Sequence, residues 1–276
     1  MPLPSSGAIS LNQIHVEAGG SSGSQAALND SDIRDMIGKS STSANSFSEY
    51  YGITNSAPTA TYKGRLQTTG NGFPSGSISL SSGTKVVVVC CQLAGSNTNT
   101  YVSLGGTNMT LAARENSAHP LASGGSIWTS PQDVAIYYMT TSLSGSQSIQ
   151  GNGGIGRSTV TVYEITGYNS ATPYTTDTAK NTNLDATAAI TVASQYNGVT
   201  IGSAVSEDGT TQTAITVSNA DEVQQVHLES ATAHVSWKDE GTPSGNRTYT
   251  YTNTSPGPTI GGGSGMPINL VTASWK

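Results

Sequence analysis

Two hydrophobic patterns divide the chain. Through residue 56, apolar positions recur at helical spacing in short, capped pieces. From residue 57 onward they alternate, or run together in strand-sized blocks. Leu11, Ile14 and Ala18 fall on one face of a helix that Ser10 can cap, with Gln13 closing a capping box and Gly19-Gly20 ending it. Asn29 can cap a second helix with Asp32 in its first turn. Ile33, Met36 and Ile37 form its stripe and Gly38 its stop. Ser46, Glu49 and Gly52 punctuate a third piece, which carries Phe47, Tyr50 and Tyr51. Each piece runs about two turns, short of the ~12 residues below which an isolated helix is marginal. Their apolar stripes therefore need another surface: the chain's own β region, a symmetry mate or a foreign protein. The second and third of these are favoured, and the residues expected to make that assembly contact are Ile14, Val16, Ile33, Met36, Ile37, Phe47, Tyr50 and Tyr51.

"GITNSAPTAT" (Gly52–Thr61) reads as a linker. Beyond it, "TATYKGRLQTT", "GSISLSS", "DVAIYYMTTS", "STVTVYEITG", "RTYTYTNTS" and "INLVTASWK" all read as strands. "TKVVVVCCQLAG" is a continuous apolar run, the pattern of a central strand buried on both faces. "TYVSLGGTNMTLAA" reads as strand, Gly-Gly turn, strand. In "STVTVYEITG", Val160, Val162 and Glu164 share one face and Thr161, Tyr163 and Ile165 the other. The expected fold is mainly β: a jelly-roll-like antiparallel β-sandwich over residues 57–276, preceded by an N-terminal segment of small helices over 1–56. No repeat period marks a solenoid or propeller.

Composition narrows the partners. Among 276 residues, 10% are charged and the formal net charge is −6. An acidic chain without a basic cluster is not expected to bind nucleic acid or anionic lipid. No apolar run approaches the ~20 residues of a membrane-spanning helix. "MPLPSSGAIS" lacks the basic and apolar regions of a signal peptide. Cys90 and Cys91 are adjacent in a strand, so they point to opposite faces and are not expected to pair.

The chemistry-bearing residues are sparse. His227 and His234 are seven apart in strand-like sequence, an odd spacing that separates them on a regular strand. His119 sits in a Gly/Ser-rich stretch beside Pro120, and His15 lies in the first helix. Glu164 is an acid inside a strand, and "SEDG" and "KDEG" read as acidic turns. "GNGGIG" lacks the Lys-Ser/Thr and following helix of a phosphate loop. No catalytic set, metal site or cofactor is expected. Aromatic side chains near loops can stack on sugars, and Tyr101, Trp128, Tyr168 and Tyr174 are the candidates for glycan contact.

"LPSSGAISLNQIHVEAGGSSGSQAALNDSDIRDMIGKSSTSANSFSEYYG" (Leu3–Gly52) resembles an N-terminal segment of tailed-bacteriophage virion structural proteins. There the pattern runs S-hydrophobic-N/S-D-I-hydrophobic-E, then L-N-D-x-x-hydrophobic-R, then S-F/M-S-D/E-F/Y-Y-G. The second and third pieces match closely, while Gln13 stands where an acid is common. The resemblance covers the first fifth of the chain. It implies a non-enzymatic, tail-fibre-like structural protein of the virion, made in the host cytoplasm and docked on other virion proteins through residues 1–56. A tail fibre, baseplate or tail appendage component is the leading expectation, with a homotrimer as its oligomeric state. A capsid decoration or head-fibre protein and an adhesin for a host cell-surface glycan are the alternatives.

Overall fold

The computed structural model describes residues 3–37, 39, 43–53, 58–70, 72–94, 101–123, 126–153, 157–181, 187–194, 198–207, 215–228, 232–242, 245–253 and 268–276. The N-terminal segment holds α1 (Leu11–Glu17), α2 (Ser31–Asp35) and a 3-10 turn at Phe47–Tyr50. The rest is antiparallel strands. The first set is β1 (Thr59–Thr68), β2 (Gly76–Leu80), β3 (Lys85–Ala94), β4 (Val102–Leu104), β5 (Thr107–Asn108), β6 (Thr110–Ser123), β7 (Ser126–Thr141), β8 (Gly145–Gly151) and β9 (Ser158–Thr166). The second is β10 (Thr175–Asn181), β11 (Thr187–Ser194), β12 (Gly198–Glu207), β13 (Ile215–Val217), β14 (Glu222–Leu228), β15 (Thr232–Thr242), β16 (Gly245–Asn253) and β17 (Ile268–Trp275).

Where one sandwich is expected over residues 57–276, the strands close two. The first pairs a five-stranded sheet, β1-β9-β3-β7-β6, with a four-stranded sheet, β2-β8-β4-β5. The second pairs a five-stranded sheet, β10-β17-β12-β15-β14, with a three-stranded sheet, β11-β16-β13. The two five-stranded sheets lie inside, face to face, and the smaller sheets lie outside. Three hydrophobic cores fill the gaps of this four-layer stack. In each sandwich the first strand pairs with the last, the second with the next to last, and the third with the second strand of the β6-β7 or β14-β15 hairpin. That nested order is what a rolled antiparallel ribbon generates. The innermost closing pair of an eight-stranded jelly roll is replaced here, because β6 and β14 stay on the inner sheets.

The layering explains the pattern of β3. It is the middle strand of an inner sheet, covered on both faces. Val86, Val88 and Cys90 face the second sandwich, while Val87, Val89 and Cys91 face the first sandwich's outer sheet. The two cysteine thiols are buried on opposite sides of the strand and are not bonded to each other. β9 splits as its alternation predicts, with Tyr163 and Ile165 on one core and Val160 and Val162 on the other. β16 shows the half-buried case: Tyr249 and Tyr251 are wholly buried, while the alternating threonines face out.

Low charge also has a structural account. Exposed positions on the outer sheets are Ser77, Ser79, Ser146, Ser148 and Gln150 at one end of the stack, and Ala189, Thr191, Ala193, Thr216 and Thr248 at the other. Hydroxyls and amides, not ions, solvate these faces. Two buried carboxylates on interior strands are each held by a cation and a hydrogen bond. Glu164 accepts the Ser81 N–H at 2.7 Å and pairs with Lys63 at 3.2 Å. Asp239 accepts the Tyr249 hydroxyl at 2.6 Å and pairs with Arg247 at 2.8 Å.

"VQQVHLESATAHVSWKDEG" holds both β14 and β15, so His227 and His234 sit on adjacent strands, not on one. "DATAAITVASQYNGVTIGSAVSED" likewise holds β11 and β12, which belong to different sheets.

Candidate assembly interface

The N-terminal segment is built by its caps. Ser10 accepts the Gln13 N–H at 3.2 Å and Gln13 Oε1 accepts the Ser10 N–H at 2.8 Å, the reciprocal capping box. Gly19, at φ +99°, ends α1 and donates to Val16 O. The His15 ring then folds over Gly20, where a Cβ would lie 2.1 Å from it, and His15 Nε2 meets Ser24 Oγ at 2.8 Å. The second helix starts one residue later than its pattern suggests. Asp30, not Asn29, is the N-cap, and its carboxylate accepts the Ala27 N–H at 2.7 Å. Asn29 instead accepts from Arg34 at 2.9 Å. The third piece is a 3-10 turn, where Glu49 accepts the Ser46 N–H at 2.7 Å. Gly38 lies outside the described residues.

These pieces bury one another. Leu3, Ile14, Ala18, Ile33, Met36 and Tyr50 form a core, with Ile9, Leu11, Ala26, Leu28, Ile37 and Ile53 packed around it. Backbone bonds from Leu3 N to Ile53 O and from Gly52 N to Pro4 O fasten the start of the segment to its end. Four of the eight residues expected at a protein interface are therefore spent inside: Ile14, Ile33 and Tyr50 at 0% exposure and Met36 at 2%. The expectation that these stripes need an outside surface is corrected by this packing. Ile37 is half-buried at the core's margin. Tyr51 is also half-buried, and its hydroxyl donates to Gly7 O at 2.5 Å. Only Val16 and Phe47 among the eight remain exposed, at 44% and 39%.

Arg34, the arginine that closes the L-N-D-x-x-hydrophobic-R piece, organises the segment. It is 2% exposed, donates to Asn29 and to Ser43 O, and so ties α2 to the stretch before the 3-10 turn. Asn45 continues this network, donating to Leu28 O at 2.7 Å and to the Tyr50 hydroxyl at 2.8 Å. Burial raises the Tyr50 pKa. Lys39 and the Ser46 N–H hold the Glu49 carboxyl below its usual range. The signal in the sequence was a lone arginine between Ile33 and Met36, but a helical stripe does not say that its charged neighbour will be buried too.

The four aromatic candidates are dispersed. Tyr174 is 54% exposed at the start of β10. Tyr168, in the same β9-β10 connection, packs against the core between the sandwiches. Tyr101 is 41% exposed just before β4. Trp128 pairs with Leu121 in the β6-β7 hairpin, and its side chain lies outside the described residues, as do those of His119 and His227. A groove of about 690 Å3 runs between Met36, Ile37 and Ile53 on one wall and Pro173, Tyr174 and Lys276 on the other. His234 is buried between the sandwiches, its Nδ1 2.8 Å from Thr159 Oγ1. Among the described residues, no group of three or more His, Cys, Asp or Glu side chains is placed to hold a metal ion. No helix among them is long and apolar enough to cross a membrane. Comparison with protein families, with curated proteins and with solved structures found no match to this chain.

Proposed function

We propose that this chain is a structural protein of a tailed-bacteriophage virion, a tail component that docks through residues 1–56 and holds its β region outward. The observation that carries this reading is the character of the N-terminal segment. It has its own core and caps, yet leaves Val16 and Phe47 exposed. Its three spaced motifs resemble those of virion proteins. The remaining surface agrees with a structural role, since uncharged hydroxyl faces close both ends of the β stack. A homotrimer is the oligomeric state that goes with a fibre-like appendage, and sedimentation of the full chain measures it.

The docking role is tested with particles grown from a genome carrying Val16→Asp and Phe47→Ser together. The variant chain should fold with unchanged circular dichroism and be missing from purified particles. Incorporation at the wild-type level would refute docking through these two side chains. Immunogold labelling of wild-type particles separates tail from head. A second reading, contact with a host glycan, is favoured by one observation: Tyr174, exposed by more than half, borders the groove beside the Asn169 amide and Thr172 hydroxyl. Glycan-array binding that Tyr174→Ala abolishes would support it, and no binding by the full chain would dismiss it.

A further inference from the structure

The two sandwiches share one topology. Number the strands of each in chain order, treating the short β5 as an extension of the fourth. The inner sheets then read 1-8-3-6-5 in both cases, and the outer sheets read 2-7-4 in both. Sheets this size could be ordered in many ways, so identity of both orders marks one module present twice.

The docking of the two modules has a symmetry of its own. Across the gap, β6 packs on β10 and β17, β7 on β17 and β12, β3 on β12 and β15, and β1 on β15. In module numbering, strand 3 meets strand 3, and 3 meets 6 in both directions; 6 meets 8 and 5 meets 1 on the β6-β7 side, while on the opposite side strand 1 meets 6. The polar contacts repeat the same exchange. Strand 8 reaches strand 6 twice, through Thr159 to His234 at 2.8 Å and through Asn269 to Gln132 O at 3.0 Å. A basic residue on strand 1 reaches strand 5 twice, through Arg65 to Gln225 O at 2.9 Å and Lys180 to Glu115 at 3.7 Å. On the central strands, Gln92 donates to Ser203 Oγ at 2.6 Å. β3 and β12 run the same way. The late residue Gln92 lies toward the late half of β12, and at the early end Ala60, aligned through Ile165 with Val86, donates to Glu240, which pairs with Val199. These are the relations of an approximate two-fold axis lying between β3 and β12, parallel to both. Such an axis makes an isologous interface, the kind two copies of one protein form in a C2 dimer.

We infer that the β region is an internal pseudo-dimer: one sandwich module, duplicated, whose inner face is a docking surface for its own second copy and holds without the covalent link. The face has the make-up of a permanent interface. Val86, Val88 and Ile136 meet Ile201, Val271 and Trp275 in one wholly buried core. The β9-β10 connection links the two modules along the chain and carries the exposed Gly167. This inference is independent of any role in a virion.

The test uses the full chain with a protease recognition sequence inserted after Gly167. After cleavage, the two pieces should co-elute in size-exclusion chromatography with light scattering, at the mass of the uncut chain, in native buffer. Ser203→Arg places a charge on the axis, where no water can solvate it. Its cut pieces should separate while each keeps a β-type circular dichroism spectrum. Glu115→Lys, opposite the half-exposed Lys180 at the rim, turns their 3.7 Å ion pair into a like-charge contact. Its cut pieces should part at a lower urea concentration than those of the cut wild type. Separation of the cut wild-type pieces in native buffer would overturn the inference. So would rim and axis variants whose pieces hold together as firmly as the wild type.

Discussion

Gly202→Ala should be one of the most damaging single-methyl additions to the second sandwich, and the reason is Trp237. Gly202 on β12 pairs directly with Trp237 on β15, and the indole lies flat across the glycine. A Cβ at residue 202 would stand 2.1 Å from both Cε2 and Cζ2 of that ring, and 2.7 Å from its Nε1. Carbon atoms pack at about 3.5–4.0 Å, so the indole would have to retreat by about 1.5 Å. It has nowhere to go. Trp237 is wholly buried among Ile190, Val192, Ala204, Tyr249 and Leu270, with the Tyr249 ring centroid 6.1 Å away. Overpacking of closed cores costs about 1–3 kcal/mol, and a rigid ring against backbone belongs at the upper end. Removing the obstacle should reverse the sign. In a Trp237→Leu background, itself about 3 kcal/mol less stable, Gly202→Ala should be neutral or stabilising by about 0.5–1 kcal/mol, since alanine loses less entropy than glycine in a strand. Urea unfolding of the four proteins, followed by circular dichroism, measures the coupling, expected at about 2–3 kcal/mol. Equal costs of Gly202→Ala in both backgrounds, within about 0.5 kcal/mol, would refute this packing argument.

Ile33→Ala removes a wholly buried side chain from the N-terminal core and should cost that segment about 2–5 kcal/mol. Hydrogen exchange should show protection lost at the Ile14, Ala18 and Gly52 amides and kept in β3 and β12. Ser10→Ala breaks the capping box of α1 and should cost about 1 kcal/mol, read as faster limited proteolysis near α1. Glu164 and Asp239 should give stability opposite pH slopes. At Glu164, burial pushes the carboxyl up, but the Ser81 N–H and Lys63 outweigh it and hold the pKa below its usual range. Its stabilisation is complete above the unfolded pKa and is lost as pH falls through the lowered folded value. Glu164→Gln should therefore flatten the acid limb of a stability curve from urea titrations. At Asp239, burial outweighs the Tyr249 hydroxyl and Arg247 and raises the pKa. Its contribution is full below the unfolded pKa and is lost as pH rises through the raised folded value, so Asp239→Asn should remove that loss on the less acidic side.

What could be read in the sequence was local. The capping box at Ser10 and Gln13, the two-faced burial of the β3 run, the Gly105-Gly106 turn and the split faces of β9 are all near-neighbour relations, and all are present. The doubling of the sandwich was not legible, for a physical reason. Topology is preserved by patterns of burial, and many sequences satisfy one pattern. "KVVVVCCQLA" of β3 and "GVTIGSAVSE" of β12 hold the same central place in their sheets with little residue identity. The inner sheets add a further disguise. They are covered on both faces, so polar residues such as Gln92, Ser203, His234 and Asn269 sit in the interface, where they bond across it. From sequence alone these look like solvent-facing positions of a single sandwich.

The packing of residues 3–53 also changes what a docking experiment can mean. Eight residues look alike in the sequence, because an apolar stripe does not reveal whether it covers a partner or its own neighbour. Burial separates them into two kinds. A substitution such as Ile14→Asp puts a charge into a closed core, so it should abolish docking by unfolding the segment, and the loss would say nothing about where a partner sits. Val16→Asp changes a side chain that is already 44% exposed and sits one turn from no core position it must fill, so the segment should keep its exchange protection. A partner surface that covers Val16 and Phe47 must then show itself as loss of attachment with protection intact. If attachment instead tracks protection across a series of variants at both kinds of position, the segment acts only by being folded. The contact surface would then lie on its polar face, where Asn12, Ser22 and Ser24 are exposed.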